Sequence, residues 1–197
     1  IETTVTTLDL TTAATSITES DGVTLSDSVV TGQLDLATGG ATVIGALTAT
    51  SQTVNLTLGG ALTDGDADAA GADTTVNVTA GTLNILGNQA VTDIETAVGT
   101  LGLTSAATSI TEADGVTLSD STVTGQLDLS AGATVLNNLN AAANAVNITV
   151  SGAITDGNAA TNNVTAGTLT IAGNQAVTGI ETTVTTLDLT TAATSIT

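Results

Sequence analysis

Aliphatic and polar residues alternate in short stretches along the whole chain. Examples are Thr7-Leu8-Asp9-Leu10, Gln33-Leu34-Asp35-Leu36, Val54-Asn55-Leu56-Thr57-Leu58 and Thr82-Leu83-Asn84-Ile85. The same pattern returns at 100–103, 126–129, 146–150, 168–171 and 186–189. A period of two in β-branched sequence predicts strands with one face buried. Leu8 and Leu10 are expected to face inward and Asp9 outward. Shorter strands are expected between these, at 16–18, 22–25, 41–44 and 89–91. Asp21-Gly22, Gly39-Gly40, Gly59-Gly60, Asp64-Gly65 and Gly87-Asn88 read as turns. No 3.6-residue pattern persists, and β-branched and glycine content is high throughout, so no helix is expected.

The pattern itself repeats. The segment 1–18 recurs letter for letter as 180–197, so one full period runs from Ile1 to Gly179. Within that period, 1–36 matches 94–129 at all but six positions. The differences include Thr6/Gly99, Asp9/Gly102 and Val29/Thr122. The chain thus divides into half-repeats 1–93 and 94–179, followed by 180–197 as the start of the next period. The second half-repeat is shorter by one residue at Gly39-Gly40 and by six after Asp64-Gly65. Deletions are absorbed most easily in surface loops, so loops are expected at both places. Such repetition predicts a tandem array rather than a self-contained domain.

Anchors recur at Leu8, Leu34, Leu56, Leu83, Leu101, Leu127, Ile148, Leu169 and Leu187. Their steps are uneven, longest from Leu56 to Leu83 and shortest from Leu83 to Leu101 and from Leu169 to Leu187. Eight such steps fill the period, which predicts an all-β fold, a parallel β-solenoid (β-helix) of about 22 residues per coil. Each half-repeat then holds about four coils, and one period advances the axis by roughly 38 Å at one strand spacing per coil. The alternative is a string of Ig-like β-sandwiches of about 90 residues each.

Composition narrows the partners. The chain has no Lys, Arg, His, Cys, Met, Pro or aromatic residue, and its formal charge is −19. Its core must therefore be thin and built from Val, Leu and Ile. Nothing in it can neutralise phosphate, so nucleic acid is excluded as a partner. No apolar run is long enough to cross a bilayer, so no membrane insertion is expected. Divalent cations and further copies of the chain are the expected partners. Catalysis is not expected, because no side chain can serve as a base or electrophile except a carboxylate. A chain free of trypsin sites and sulfur suits a product released in quantity outside the cell. Any secretory address would lie outside this stretch.

The small-residue alphabet, nested period and Asp-rich decoration resemble the repeat regions of giant bacterial β-solenoid surface proteins and adhesins of the filamentous-haemagglutinin type. The resemblance is one of style and covers the whole chain. The Gly-Gly-x-Gly-x-Asp nonapeptide of calcium-binding repeats is absent. The resemblance implies an extracellular or cell-surface location, self-association or adhesion, and calcium dependence.

Four carboxylates are the candidate metal ligands: Asp64, Asp66, Asp68 and Asp73. Their alternation is similar to the start of an EF-hand loop and points to Ca2+. However, Ala69 and Thr75 stand where that loop needs Gly and Glu, and the second half-repeat keeps only Asp156, with Asn158 replacing Asp66. A solvated acidic loop is the plainer reading. Glu19-x-Asp21-Gly22 and Glu112-x-Asp114-Gly115 read as turns flanked by hydroxyl corners, or as cation bridges between coils. Asn55, Asn77, Asn147 and Asn163 each begin an Asn-x-Thr acceptor pattern, which alternation alone produces. The expected function is a structural extracellular polymer forming a filament, sheath or stalk. The alternative is an adhesin module binding a surface, a glycan or ice. Ice binding needs Thr-x-Thr once per coil in register, and the uneven steps argue against it.

Overall fold

The computed structural model describes residues 1–66, 75–159 and 161–197. Among them there is no helix, and every strand pairing is parallel. The chain is a β-solenoid, as expected. Parallel pairing rules out the Ig-like alternative, whose sheets are antiparallel.

One turn illustrates the cross-section. Thr15–Glu19 forms a strand, and the chain then bends at Asp21-Gly22. Two shorter strands follow, Val23–Leu25 and Ser28–Val30, with a second bend between them. Leu34–Thr38 then stacks on Thr15–Glu19, with Leu34 directly opposite Thr15. Each turn is thus one long strand facing a pair of short ones. Alternation sends every second side chain inward. The column Ile17, Leu36, Leu56, Ile85, Leu103 is typical, each residue at most 4% exposed. Stacked aliphatics fill this narrow interior without rings. The bends need special backbone: Gly87 and Gly173 have φ of +116° and +125°, and Asn88 and Asn174 follow at +55°. Glycine and asparagine are the residues that tolerate such values.

Most rungs join positions at similar separation, such as Glu2 with Thr18, Thr15 with Leu34, Leu34 with Val54 and Val164 with Thr182. The step lengthens where Leu47 meets Val78 and Leu62 meets Val91. It lengthens again, by less, where Leu139 meets Val164 and Ile154 meets Val177. The longer steps contain 65–77 and 157–163, so the added length falls where the half-repeats differ.

Following one column measures the period. Glu2 lies opposite Thr18, which leads to Ala37, Thr57 and Leu86. One residue beyond the Ile85–Leu103 pair the column reaches Thr104, then Thr122, Asn140, Thr165 and Thr183. That is nine turns, ending two residues from Glu181, the copy of Glu2. The half-repeat copy, Glu95, falls midway between Leu86 and Thr104. Each half-repeat therefore spans four and a half turns.

The half turn swaps the sides of the rod. In the first half-repeat the long strands Thr15–Glu19 and Leu34–Thr38 lie on one side. Higher up, that side carries the short pairs Val116–Leu118 with Ser121–Val123, because Leu101 leads to Leu118 and Thr104 to Thr122. The opposite side changes from short pairs to the long strands Thr108–Glu112 and Leu127–Ala131. The exchange is made by Val91–Ser105, the longest strand.

This corrects the expected coil length. The period holds nine turns rather than eight coils, so each turn takes about 20 residues instead of about 22, still within the range of solenoid repeats. Leu8 lies opposite Leu25 and Leu101 opposite Leu118, so the steps from Leu8 to Leu34 and from Leu101 to Leu127 each cover one and a half turns. The anchors sit on both sides of the rod, which sequence spacing alone does not reveal. Nine turns advance the axis by about 43 Å at one strand spacing per turn.

The uneven steps do not stagger the outward faces. Thr53, Thr82, Thr100, Thr117, Val135, Thr155 and Thr178 form one unbroken column. The bends absorb most of the difference in length, and local register shifts after Ala80, Val91 and Val177 take up the rest.

Candidate functional site

The candidate metal ligands come first. Asp64 ends the strand Leu62–Asp64, and Asp66 follows one bend later. Both turn toward Asn77, which is fully buried. The Asn77 amide Nδ2 donates to Asp64 Oδ1 at 2.7 Å and to Asp66 Oδ1 at 2.8 Å. It also lies 3.2 Å from the carbonyls of Ile44 and Gly45. Its Oδ1 accepts the Glu95 N–H at 2.8 Å, which fixes which end of the amide is which. Asp68 and Asp73 lie outside the described residues. Among the described residues no three carboxylates gather closely enough to hold a metal ion.

The second half-repeat builds the same node. Asn163 is fully buried and donates to Leu136 O, Asn137 O, Asp156 Oδ1 and Asn158 Oδ1 at 2.8 to 3.1 Å. Its Oδ1 accepts the Glu181 N–H at 2.9 Å. Asn158 and Ala159 also donate their backbone N–H groups to Asp156. The Asn163 bond, and then these two, hold the Asp156 carboxyl below its ordinary range. Asp66 and Asn158 are interchangeable here because the node needs only an oxygen acceptor. Asn77 and Asn163 fasten the bends after Asp64 and Asp156 onto the turn beneath, and their burial removes both as glycan acceptors.

A second recurring node reads in the sequence only as a turn. Glu19 and Glu112 are 1% and 4% exposed and close the bend after each long strand. Thr96 donates its hydroxyl to Glu112 at 2.7 Å, and the Val98 N–H lies 3.1 Å from both carboxylate oxygens. Thr3 and Val5 treat Glu19 alike. The two groups nevertheless shift in opposite directions. Hydrogen bonding, led by Thr3, holds Glu19 below its ordinary range. Burial pushes Glu112 above it, against the pull of Thr96. Glu112 lies deep in the stack, whereas Glu19 has only the first turn beneath it. The recurrence of Thr3 and Glu19 as Thr96 and Glu112, at the same separation of 16, is the signal that sequence offers for this node.

On the long faces, carboxylates stand in amide ladders. Asp35 accepts from Gln33 Nε2 at 2.9 Å on both oxygens and from Asn55 Nδ2 at 2.6 Å, and Asn84 donates to Asn55 in turn. Asp128 has the same partners in Gln126 and Asn147. The ladder explains one difference between the half-repeats. A Cβ at Gly102 would come within 2.6 Å of Asn84 Oδ1, so an Asp there, as at Asp9, would have to turn the Asn84 amide aside from the ladder. Beside the ladders run open furrows of about 120 and 140 Å³, lined by Ser16, Asp35 and Asn55 and by Ser109, Asp128 and Asn147. They are shallow and polar.

These arrangements pair carboxylates with amides and hydroxyls, and their chemistry is that of internal fastening. No helix among the described residues is long and apolar enough to cross a membrane. Comparison with protein-family models, with curated proteins and with solved structures finds no match for the chain.

Proposed function

We propose that the chain is a structural rod, a repeating stretch of an extracellular filament or sheath at a cell surface. The observation that carries this reading is the return of the sequence after nine turns to within two residues of the column it left. Copies of the period can follow one another as one continuous rod with the same faces outward. Every turn rests on its neighbours through parallel ladders and a shared aliphatic core, so length can grow without redesign. The recurrent polar nodes fasten bends to adjacent turns, which suits an element held under tension. The absence of Lys, Arg and Cys removes trypsin sites and redox dependence, which supports a place outside the cell.

Small-angle scattering tests the reading on the chain itself and on a chain carrying one added period. The maximum dimension should rise by about 43 Å per period at constant cross-section, the advance of nine strand spacings. A compact particle, or one whose width grows with the added period, overturns it.

A further inference from the structure

We propose that the rod packs side by side with further copies of itself through two uncharged faces, one per half-repeat, on opposite sides and four and a half turns apart. This rests on the structural-rod reading above. On the first side the outward column is Val29, Thr48 and Thr79. On the other it is the half-repeat counterpart: Thr122, Asn140 and Thr165. Val29 is 43% exposed, and Thr48, Thr122 and Asn140 are also exposed.

Three observations choose a second copy as the occupant. The first is charge. At −19 with no basic residue, two copies repel wherever carboxylates meet. Beyond the column the chain turns through Thr31-Gly32-Gln33 on one side and Thr124-Gly125-Gln126 on the other, with no charge. The next carboxylates, Asp35 and Asp128, are already occupied by glutamine and asparagine donors. Across the opposite bend lie Asp27, Asp64, Asp66 and Glu95 on one side and Asp120, Asp156 and Glu181 on the other, with Asp64, Asp66 and Asp156 held inward by Asn77 and Asn163. The second is pitch. Both columns repeat at the strand spacing, about 4.8 Å, so the side chains of one rod fit between those of the next along their whole length. The third is symmetry. The half turn gives every rod a similar counterpart column on each side, so a contact made on one side has an analogue on the far side. Such contacts do not close into a dimer but extend as a layer.

The test uses the full chain, 1–197, in physiological salt, with sedimentation velocity and negative-stain imaging over a wide concentration range. Unmodified chains should form rafts one rod thick whose size rises with concentration. Thr48→Asp with Thr79→Asp blocks one side, and Thr122→Asp with Thr165→Asp blocks the other. Either pair should stop growth at two rods or fewer, and all four together should leave single rods. Circular dichroism and melting of the variants should match the parent, since these side chains point outward. Single parent rods at every concentration, or variants that still form rafts, overturn the proposal. Scattering from the quadruple variant separates the two readings, because single rods of full length with no rafts from the parent sink the lateral contact and spare the rod.

Discussion

Thr134 offers the sharpest check on the structure. It is fully buried, and its hydroxyl has no partner. Its counterpart in the first half-repeat is Thr42, also fully buried, whose hydroxyl lies 2.9 Å from that of Thr38. Ala131 takes the place of Thr38 in the second half-repeat, and the bend beside it lacks the residue equivalent to Gly40, whose carbonyl is the other acceptor of Thr38. One position thus occurs twice in one molecule, once satisfied and once not. An unpaired buried hydroxyl costs about 1 to 3 kcal/mol, whereas a satisfied one contributes about 1 kcal/mol net. Thr134→Val keeps the shape and removes the polar atom, so it should stabilise by about 1 to 2 kcal/mol. Thr42→Val should destabilise by about 1 kcal/mol, because Thr38 keeps its contact with Gly40. For a chain of this size each kcal/mol shifts Tm by about 2 to 4 °C. Far-ultraviolet circular dichroism is the assay, since the chain has no aromatic residue to report on unfolding. Hydrogen exchange across 127–140 localises the effect to the turn concerned. A Thr134→Val protein that melts at or below the parent refutes the reasoning.

Other perturbations probe the nodes. Asn163→Ala leaves two carbonyls, Asp156 and the Glu181 N–H without their buried partner and should cost about 3 kcal/mol or more in a denaturant melt. Asn163→Asp sets a carboxylate against four oxygens, so its loss should exceed that of Asn163→Ala at neutral pH and shrink on acidification. Glu112 lies above its ordinary value of 4.5 in the folded chain, so the native state binds that proton more tightly, and wild-type stability falls as pH rises from 4.5 through the raised value. The Tm of Glu112→Gln should therefore gain on wild type as pH rises above 4.5, and a constant difference would contradict the burial of this group. Asp156 is shifted the other way: its contribution is present above pH 3.8 and fades as pH falls through its lowered value, so the penalty of Asp156→Asn should vanish in acid. Gly173→Ala should destabilise by several kcal/mol, since φ is +125° and the new Cβ would overlap the Val150 carbonyl.

Fold class, strand positions and the two places of unequal length are legible in the sequence because each depends on local alternation or on a difference between copies. Turn length is not. Leu34 and Leu127 look equivalent along the sequence, yet they lie on opposite sides of the rod four and a half turns apart, and only the hydrogen-bond register separates them. Asn77 and Asn163 point inward although alternation places them outward, because each stands in the bend just before its strand, where alternation no longer sets direction. Glu19 and Glu112 look like surface acids because burial of a carboxylate depends on donors at sequence separations of 14 and 16. The acidic run from Asp64 is legible as a cluster. Its first two members turn inward because a buried amide offers better partners than water.

The half turn per half-repeat bears on how such a chain can change length. Loss or duplication of a single half-repeat would leave every later turn facing backward, with long strands where paired ones had been. Loss or duplication of a whole period shifts the column by two residues and keeps every later face on its own side. Exchange between identical segments one period apart therefore lengthens or shortens the rod while preserving the direction in which each surface points. Length is free to vary in whole periods, and facing is not.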